Sequence, residues 1–192
     1  MNDFGYLLIT SSHKTSDYQK MAYLLALNIK RTQKPGYNQV AVVVDNKDDV
    51  DLFRISPAFD EVIFSQEYTH WDGRSYMDKL TPFKRTVCMD VDMLFTTDTS
   101  HWIDHFIKDS YGLYVASKIV NYKGELITND RYRIGYSQNG IKPLYSAYTY
   151  FDLTGNYTTE FFELARDIYL NPDKFKNVFM PILTPLVVGT DE

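Results

Sequence analysis

Two aspartates one residue apart interrupt the run Arg85-Thr86-Val87-Cys88-Met89-Asp90-Val91-Asp92-Met93-Leu94-Phe95, and no other stretch so limits what this chain can become. Its β-branched and apolar residues read as a strand. In a strand, residues two apart share a face, so Asp90 and Asp92 leave together while Val87, Met89, Val91, Met93 and Phe95 pack the other way. Two carboxylates at that spacing repel one another and lose solvation, a cost that a cation or water at a strand end offsets. Oxygen ligands select hard ions, and one or two carboxylates completed by phosphate oxygens and water are a common way to hold Mg²⁺ or Mn²⁺. The alternative is a strand that simply ends at solvent, its acids capping the next element.

Length and composition frame the rest. The 192 residues, 44% of them hydrophobic and 16% aromatic, suffice for one domain with one sizeable core. Apolar stretches such as Met21 to Leu27 or Val40 to Val44 fall far short of a membrane span. The start Met1-Asn2-Asp3-Phe4-Gly5 lacks the basic opening of a signal peptide, so a cytoplasmic location is expected. The single cysteine, Cys88, sits within the central strand, which agrees with a reducing compartment and suits a small buried residue better than a nucleophile. A net charge of −5 provides no general attraction to nucleic acid or anionic membrane.

Along the chain, strands and helices alternate. Tyr6 to Thr10 is a continuous apolar run opening into Thr10-Ser11-Ser12, as in a buried parallel strand whose polar carboxyl end faces a ligand. Ser16 and Gln19 have capping-box spacing, and Tyr18, Met21, Ala22, Leu25, Ala26 and Ile29 keep the helical period until Lys34-Pro35-Gly36. Val40 to Val44 is a second buried strand ending at Asp45-Asn46. A short helix from Asp48 to Ile55 and a third strand, Glu61 to Phe64, follow. A helix from about Arg74 to Leu80 precedes the aspartate strand; Asp98 caps the helix carrying Trp102, Ile103, Phe106 and Ile107. Leu113 to Ala116 is a strand, Lys123-Gly124 a turn, Thr128 to Lys142 a polar loop and Tyr145 to Leu153 a strand. A last helix through Phe161, Leu164, Ala165 and Ile168 stops at Asn171-Pro172. This alternation argues for a parallel α/β sheet with its polar strand ends on one edge.

Together these features resemble the GT-A glycosyltransferases, in particular the glycogenin and bacterial galactosyltransferase-like family. The likeness is densest from Arg74 to Leu94, where that family sets a basic residue about one helix and one strand ahead of Asp-x-Asp, the place of Arg74. It is weaker at Thr10-Ser11-Ser12 and Tyr18, near the family's nucleotide grip, and at Thr190-Asp191-Glu192, which looks like the acidic motif lining its sugar site. Two departures stand out. Tyr145-Ser146-Ala147 occupies the context of an Asn-Ser-Gly or Asn-Ala-Gly segment without the asparagine, and the family's later histidine ligand would fall beyond Glu192.

The resemblance implies a GT-A-like, Rossmann-like α/β fold with a mostly parallel central sheet flanked by helices and a mixed second half. One domain would span 1–192, with a nucleotide-binding half, 1–95, and a sugar and acceptor half, 96–192. It implies transfer of a sugar from a nucleotide sugar, a UDP-sugar being the expected donor, with Mn²⁺ or Mg²⁺ held by Asp90 and Asp92. Thr10, Ser11, Ser12, Tyr18, Asp45, Arg74 and Asp90 would contact the nucleotide, and Asp191 would be the catalytic residue, in the acidic motif lining the sugar site. The acceptor is open: a glycan, a protein or a modified nucleobase.

Each residue also has a plainer explanation. Arg74 reads alone as a solvated helix-start arginine, and Thr10, Ser11 and Asp45 as caps of the helices that follow. His13, His70, His101 and His105 show no metal-ligand spacing; Trp71 and Trp102 suit packing better than sugar platforms. Two other functions compete. Haloacid-dehalogenase-like phosphohydrolases also use Asp-x-Asp at a strand end, though on the strand that opens the domain. A nucleotide-sugar or glycan-binding module would keep the fold without the chemistry.

Overall fold

A computed structural model describes residues 2–12, 17–66, 71–109, 111–118, 120–121, 123–125 and 144–175. Strand β1 (Asn2–Ile9) leads through α1 (Tyr18–Thr32) to β2 (Val40–Val44), and α2 (Lys47–Arg54) leads to β3 (Glu61–Phe64). A 3₁₀ turn (Trp71–Tyr76) runs into the short α3 (Met77–Leu80) and then β4 (Phe83–Met89). The second half holds α4 (Ser100–Lys108), β5 (Leu113–Ala116), β6 (Tyr145–Asp152) and α5 (Thr158–Leu170). Among the described residues, six strands form one sheet in the order β3-β2-β1-β4-β6-β5. The first four are parallel, and β6 runs antiparallel to both of its neighbours.

Burial explains why β2 reads Val-Ala-Val-Val-Val. It is covered on both faces, so every position is buried and none alternates to polar. On one face Tyr6, Leu8, Val42, Val44, Val87 and Met89 pack against Ala22, Leu25, Ala26 and Ile29 of α1, Val50 and Phe53 of α2 and Ile103 of α4. On the other, Leu7, Ala41, Val43, Cys88 and Phe151 meet Met77 and Leu80 of α3 and Phe162 of α5. The layers are helix, sheet, helix.

Two close approaches fix how strands meet. Gly5 lies under the Phe83 ring, and an added Cβ would fall 2.3 Å from it. Gly112, at φ +76°, backs onto Gly155, whose Cα lies 2.5 Å from where a Gly112 Cβ would stand. The Gly112 carbonyl accepts from Asp152 N at 2.7 Å and Thr158 Oγ at 3.1 Å, tying the start of β5 to the end of β6 and the start of α5.

Several expectations need correction. Asp17, not Ser16, caps α1, accepting from Lys20 N at 3.1 Å; Ser16 lies outside the described residues. The expected helix from Arg74 is a 3₁₀ turn that becomes α-helical only at Met77, since Gly73 and Ser75 favour turns and Pro82 stops the helix early. Asp98 does serve the start of α4, its carboxylate accepting from Ser100 N at 3.1 Å and Oγ at 2.9 Å. The loop expected over Thr128 to Lys142 lies outside the described residues.

Candidate functional site

The order of strands locates the crevice. From β1 the chain builds outward through β2 to β3, then returns to lay β4 on the other side of β1. Adjacent parallel strands whose connections leave to opposite faces open a gap at their carboxyl ends, where α/β sheets receive ligands. Here that gap lies between the residues following Ile9 and those following Met89, because Leu8 is paired with Met89.

On the β1 side, the polar residues are used to build the loop. Thr10 is buried; its N–H and Oγ both donate to Val43 O, at 3.0 and 2.8 Å. Ser12 donates its N–H and its hydroxyl to the two carboxylate oxygens of Asp45, each at 2.8 Å. Asp45, just beyond β2, thus sets the path of the chain leaving β1. Ser11, between them, is partly exposed, and Tyr18 opens α1 against the core.

On the β4 side, charged side chains face one another. The strand ends at Met89, one residue before the aspartates, and Asp90 N–H makes a last ladder bond to Ala147 O at 3.0 Å. The chain then turns, Met93 N–H donating to Asp90 O at 3.3 Å. Asp90 and Asp92 therefore do not share a strand face as the spacing suggests. With β1 already finished at Ile9, the backbone beyond Asp90 has no parallel neighbour, and the turn takes over. Val91 and Phe95 still point into the core, and Asp92 is exposed. Asn28 of α1 braces this segment, accepting from Phe95 N at 2.7 Å and donating to Phe95 O at 3.0 Å. Gln33, buried at the end of α1, accepts from Thr99 N and Oγ at 2.9 and 3.0 Å.

Arg74 reaches this strand end from the 3₁₀ turn, donating Nη2 to Asp90 Oδ1 and Nη1 to Ser146 Oγ. The pair is open to solvent: the side chains of Arg74 and Asp90 are 33% and 35% exposed. Cys88, one pleat below, is buried, and burial pushes its thiol up to about 12 against the pull of the Arg74 charge. It is no nucleophile at neutral pH.

The fold thus brings Arg74, Asp90 and Asp92 to one strand end, next to the loop built by Thr10, Ser12 and Asp45. Asp191 lies outside the described residues. Among the described residues no three His, Cys, Asp or Glu side chains group closely enough to hold a metal ion. The two aspartates offer hard oxygen donors but only part of a shell, which suits an ion that shares its ligands with phosphate oxygens and water. Sequence reasoning missed Ser146, Asn28 and Gln33. The signal for Ser146 was its place in the segment where the family carries its asparagine; the two amides on α1 gave none.

No family model matches the chain, and no curated protein matches it in sequence. Solved structures do match. Mouse xyloside xylosyltransferase 1 is similar at 12% identity and a TM-score of 0.59, over 94% of this chain and 76% of that one. The glycosyltransferase GlyE of Streptococcus pneumoniae TIGR4 is similar at 11% identity and 0.56, over 100% and 44%. The bifunctional glycosyltransferase WbbM follows at 11% and 0.54, over 84% and 33%. This chain spans about three quarters of the first structure and under half of the other two. At such identity the likeness establishes the fold, which is the GT-A type.

Proposed function

We propose that this GT-A fold binds a nucleotide sugar, with a UDP-sugar the expected donor, across the carboxyl ends of β1 and β4 and transfers its sugar to an acceptor. The observation that carries the reading is the meeting of Arg74, Asp90 and Ser146 at the switch point, beside the loop that Asp45 shapes. Arg74 provides a planar fork suited to two phosphate oxygens. Asp90 and Asp92 are the residues that would hold Mn²⁺ or Mg²⁺. When bound, such an ion neutralises charge that develops on a diphosphate leaving group.

In the transfer itself, the bond from the anomeric carbon to the diphosphate oxygen breaks and the diphosphate keeps the electron pair. An acceptor hydroxyl forms the new bond to the anomeric carbon through its oxygen and passes its proton to solvent or to the departing diphosphate. Ser11 and Tyr18 are assigned to the base and ribose, while Ser12 and Asp45, bonded to each other, shape the loop beside them. Thr10 contributes by fixing the loop, since its hydroxyl is spent on Val43 O. Asp191 is assigned to the sugar side through the family resemblance. The hydrolase alternative needs its aspartates on the strand that opens the domain, whereas here they follow β4. Among the described residues no helix is long and apolar enough to cross a membrane.

The test is a thermal-shift panel of UDP-sugars with and without Mn²⁺. A ligand that binds only the native state raises Tm by mass action, with roughly 2.7 kcal/mol of stabilisation at a hundred times Kd. The shift is expected only when metal is present, and Asp92→Asn should abolish most of it while leaving the unliganded Tm near wild type. A metal-independent shift equal in wild type and Asp92→Asn removes the metal role; no shift with any UDP-sugar removes the donor assignment.

A further inference from the structure

The turn that carries Arg74 is gripped from the opposite half of the chain. Arg166, in the body of α5, donates Nη1 to the backbone carbonyl of Ser75 at 3.1 Å and to Asp78 Oδ1 at 2.6 Å. Its guanidinium also stands over the Tyr76 ring, 5.6 Å from the centroid. One side chain thereby engages the two residues after Arg74 and the first turn of α3. The side chains of Arg166 and Asp78 are only 16% and 8% exposed, so this pair is shielded where the Arg74–Asp90 pair is open.

A 3₁₀ turn has poorer hydrogen-bond geometry than an α-helix, and its orientation depends on what holds it from outside. Arg74 projects from such a turn to a strand end, and a two-oxygen contact to phosphate tolerates little error in its direction. A buried ion pair is weak evidence for stability, because apolar residues of similar volume often serve as well. What an apolar replacement cannot supply is the bond to Ser75 O, which sets the path of the backbone one residue from Arg74.

We propose that Arg166 is a positioning residue for Arg74, holding the Trp71–Tyr76 turn so that the Arg74 guanidinium faces the donor diphosphate. The inference rests on the reading of Arg74 as a diphosphate contact. It makes α5, in the second half of the chain, part of the apparatus that aims a cation at the nucleotide side.

Isothermal titration of UDP and of uridine, both with MnCl₂, tests it in the wild type, Arg74→Ala, Arg166→Lys and Arg166→Met. Because Arg166→Met leaves the Asp78 carboxylate with only Lys79 Nζ, 3.7 Å away, Asp78→Asn/Arg166→Met, which removes both charges of the pair, is carried alongside as the variant that keeps the fold. Arg166→Met or the paired variant should weaken UDP by about tenfold and change uridine by less than about twofold. Arg166→Lys, keeping the charge on Asp78 without the fork, should fall between. Hydrogen exchange should show amides of 71–80 losing protection while those of β1 and β2 keep theirs. Wild-type UDP affinity in the folded paired variant overturns the proposal, as does an equal loss for UDP and uridine. Failure of the underlying reading looks different: Arg74→Ala then binds UDP as wild type does, or wild type itself does not bind. Either overturns the functional role and leaves the exchange pattern as evidence of a structural clamp alone.

Discussion

Strand β4 carries an arginine–aspartate pair at each end, and the two are built to opposite purposes. At its amino end Arg85 donates Nε to Asp152 Oδ2 at 2.8 Å and Nη1 to Asp3 Oδ2 at 2.9 Å. Asp152 is the direct cross-strand partner of Arg85, and its other oxygen accepts from Thr154 N and Oγ at 2.8 and 2.6 Å. Burial pulls the Asp152 carboxyl upward, but the bonds from Thr154 and Arg85 prevail and hold it below the usual range. The side chains of Arg85 and Asp152 are 18% and 13% exposed, so both charges are closed into the structure. At the carboxyl end the same chemistry is assembled from a turn outside the sheet and left a third exposed. A closed pair is costly to break, because either partner alone is left desolvated; an open one, whose partners can be exchanged for a ligand's atoms, suits binding.

The largest effect is expected at the closed end. Arg85→Met leaves the half-buried Asp152 without its cation, though still bonded to Thr154, and should cost about 3 kcal/mol in urea unfolding, the low end for a broken buried pair, with donor affinity per folded molecule unchanged. A cost below about 1 kcal/mol would mean that the two ends do not differ in kind.

The mirror experiment is Arg74→Ala. It should lose roughly 1.5–3 kcal/mol of UDP affinity by titration calorimetry. Its cost in stability should stay under about 1 kcal/mol, as for an exposed pair. The reverse pattern would make Arg74 a structural residue.

Between the two ends lies Cys88. Its folded thiol is pushed up from an ordinary 9.0 to about 12, so above pH 9.0 the unfolded chain releases a proton that the folded one keeps. Stability from this group is therefore complete below pH 9.0 and falls as pH rises toward 12, by at most about 1.4 kcal/mol per pH unit. Buried Tyr6 and Tyr150 and half-buried Tyr114 and Tyr148, also raised by desolvation, add to the fall as pH approaches and passes their ordinary 10.0. Urea melts between pH 8 and 9.5 should show a steeper decline in wild type than in Cys88→Ala, which keeps only the part due to its tyrosines. The native thiol should also resist alkylation until the chain unfolds.

The smallest effect is expected at Tyr150, beside Val87 in the middle of the sheet. Its buried hydroxyl has no hydrogen-bond partner among the described residues, so Tyr150→Phe should change stability by less than about 1 kcal/mol, in either direction. A large loss in urea unfolding would reveal a bond in mid-sheet and blur the contrast between its ends.

What could be read from the sequence follows the same division between closed and open. Val40–Val44, Glu61–Phe64 and Leu113–Ala116 are strands with the bounds their apolar runs imply; in the first, buried at every position, burial leaves composition little choice, while the other two are half-buried edge strands marked by their β-branched and aromatic residues. β1 begins at Asn2, ahead of its apolar run, because Asn2 pairs with Phe83 although it is polar. At the site, the strand ends were legible from the switch to polar residues. The pairing of Arg74 with Ser146 was not, since it joins segments far apart in the chain and neither residue type is unusual where it stands. The end of β4 at Met89 depends on where β1 stops, which no local pattern in β4 records. Asn28 and Gln33 look like ordinary helix-surface amides until the segment they brace is folded against them.

The meeting of Gly112 with Gly155 bears on how this protein can vary. Each glycine leaves only a Cα in the space where the other's side chain would go, so neither can acquire a methyl group while the other stays, and changing both makes the crowding worse. Gly112 is barred a second time by its left-handed backbone. Positions constrained in this way cannot compensate for one another, and among variants of this chain they will stay fixed together instead of drifting in step. A contact central to the join of β5, β6 and α5 is thereby invisible to any search for correlated substitutions. It will be visible in a saturation scan, as two distant positions that tolerate nothing but glycine.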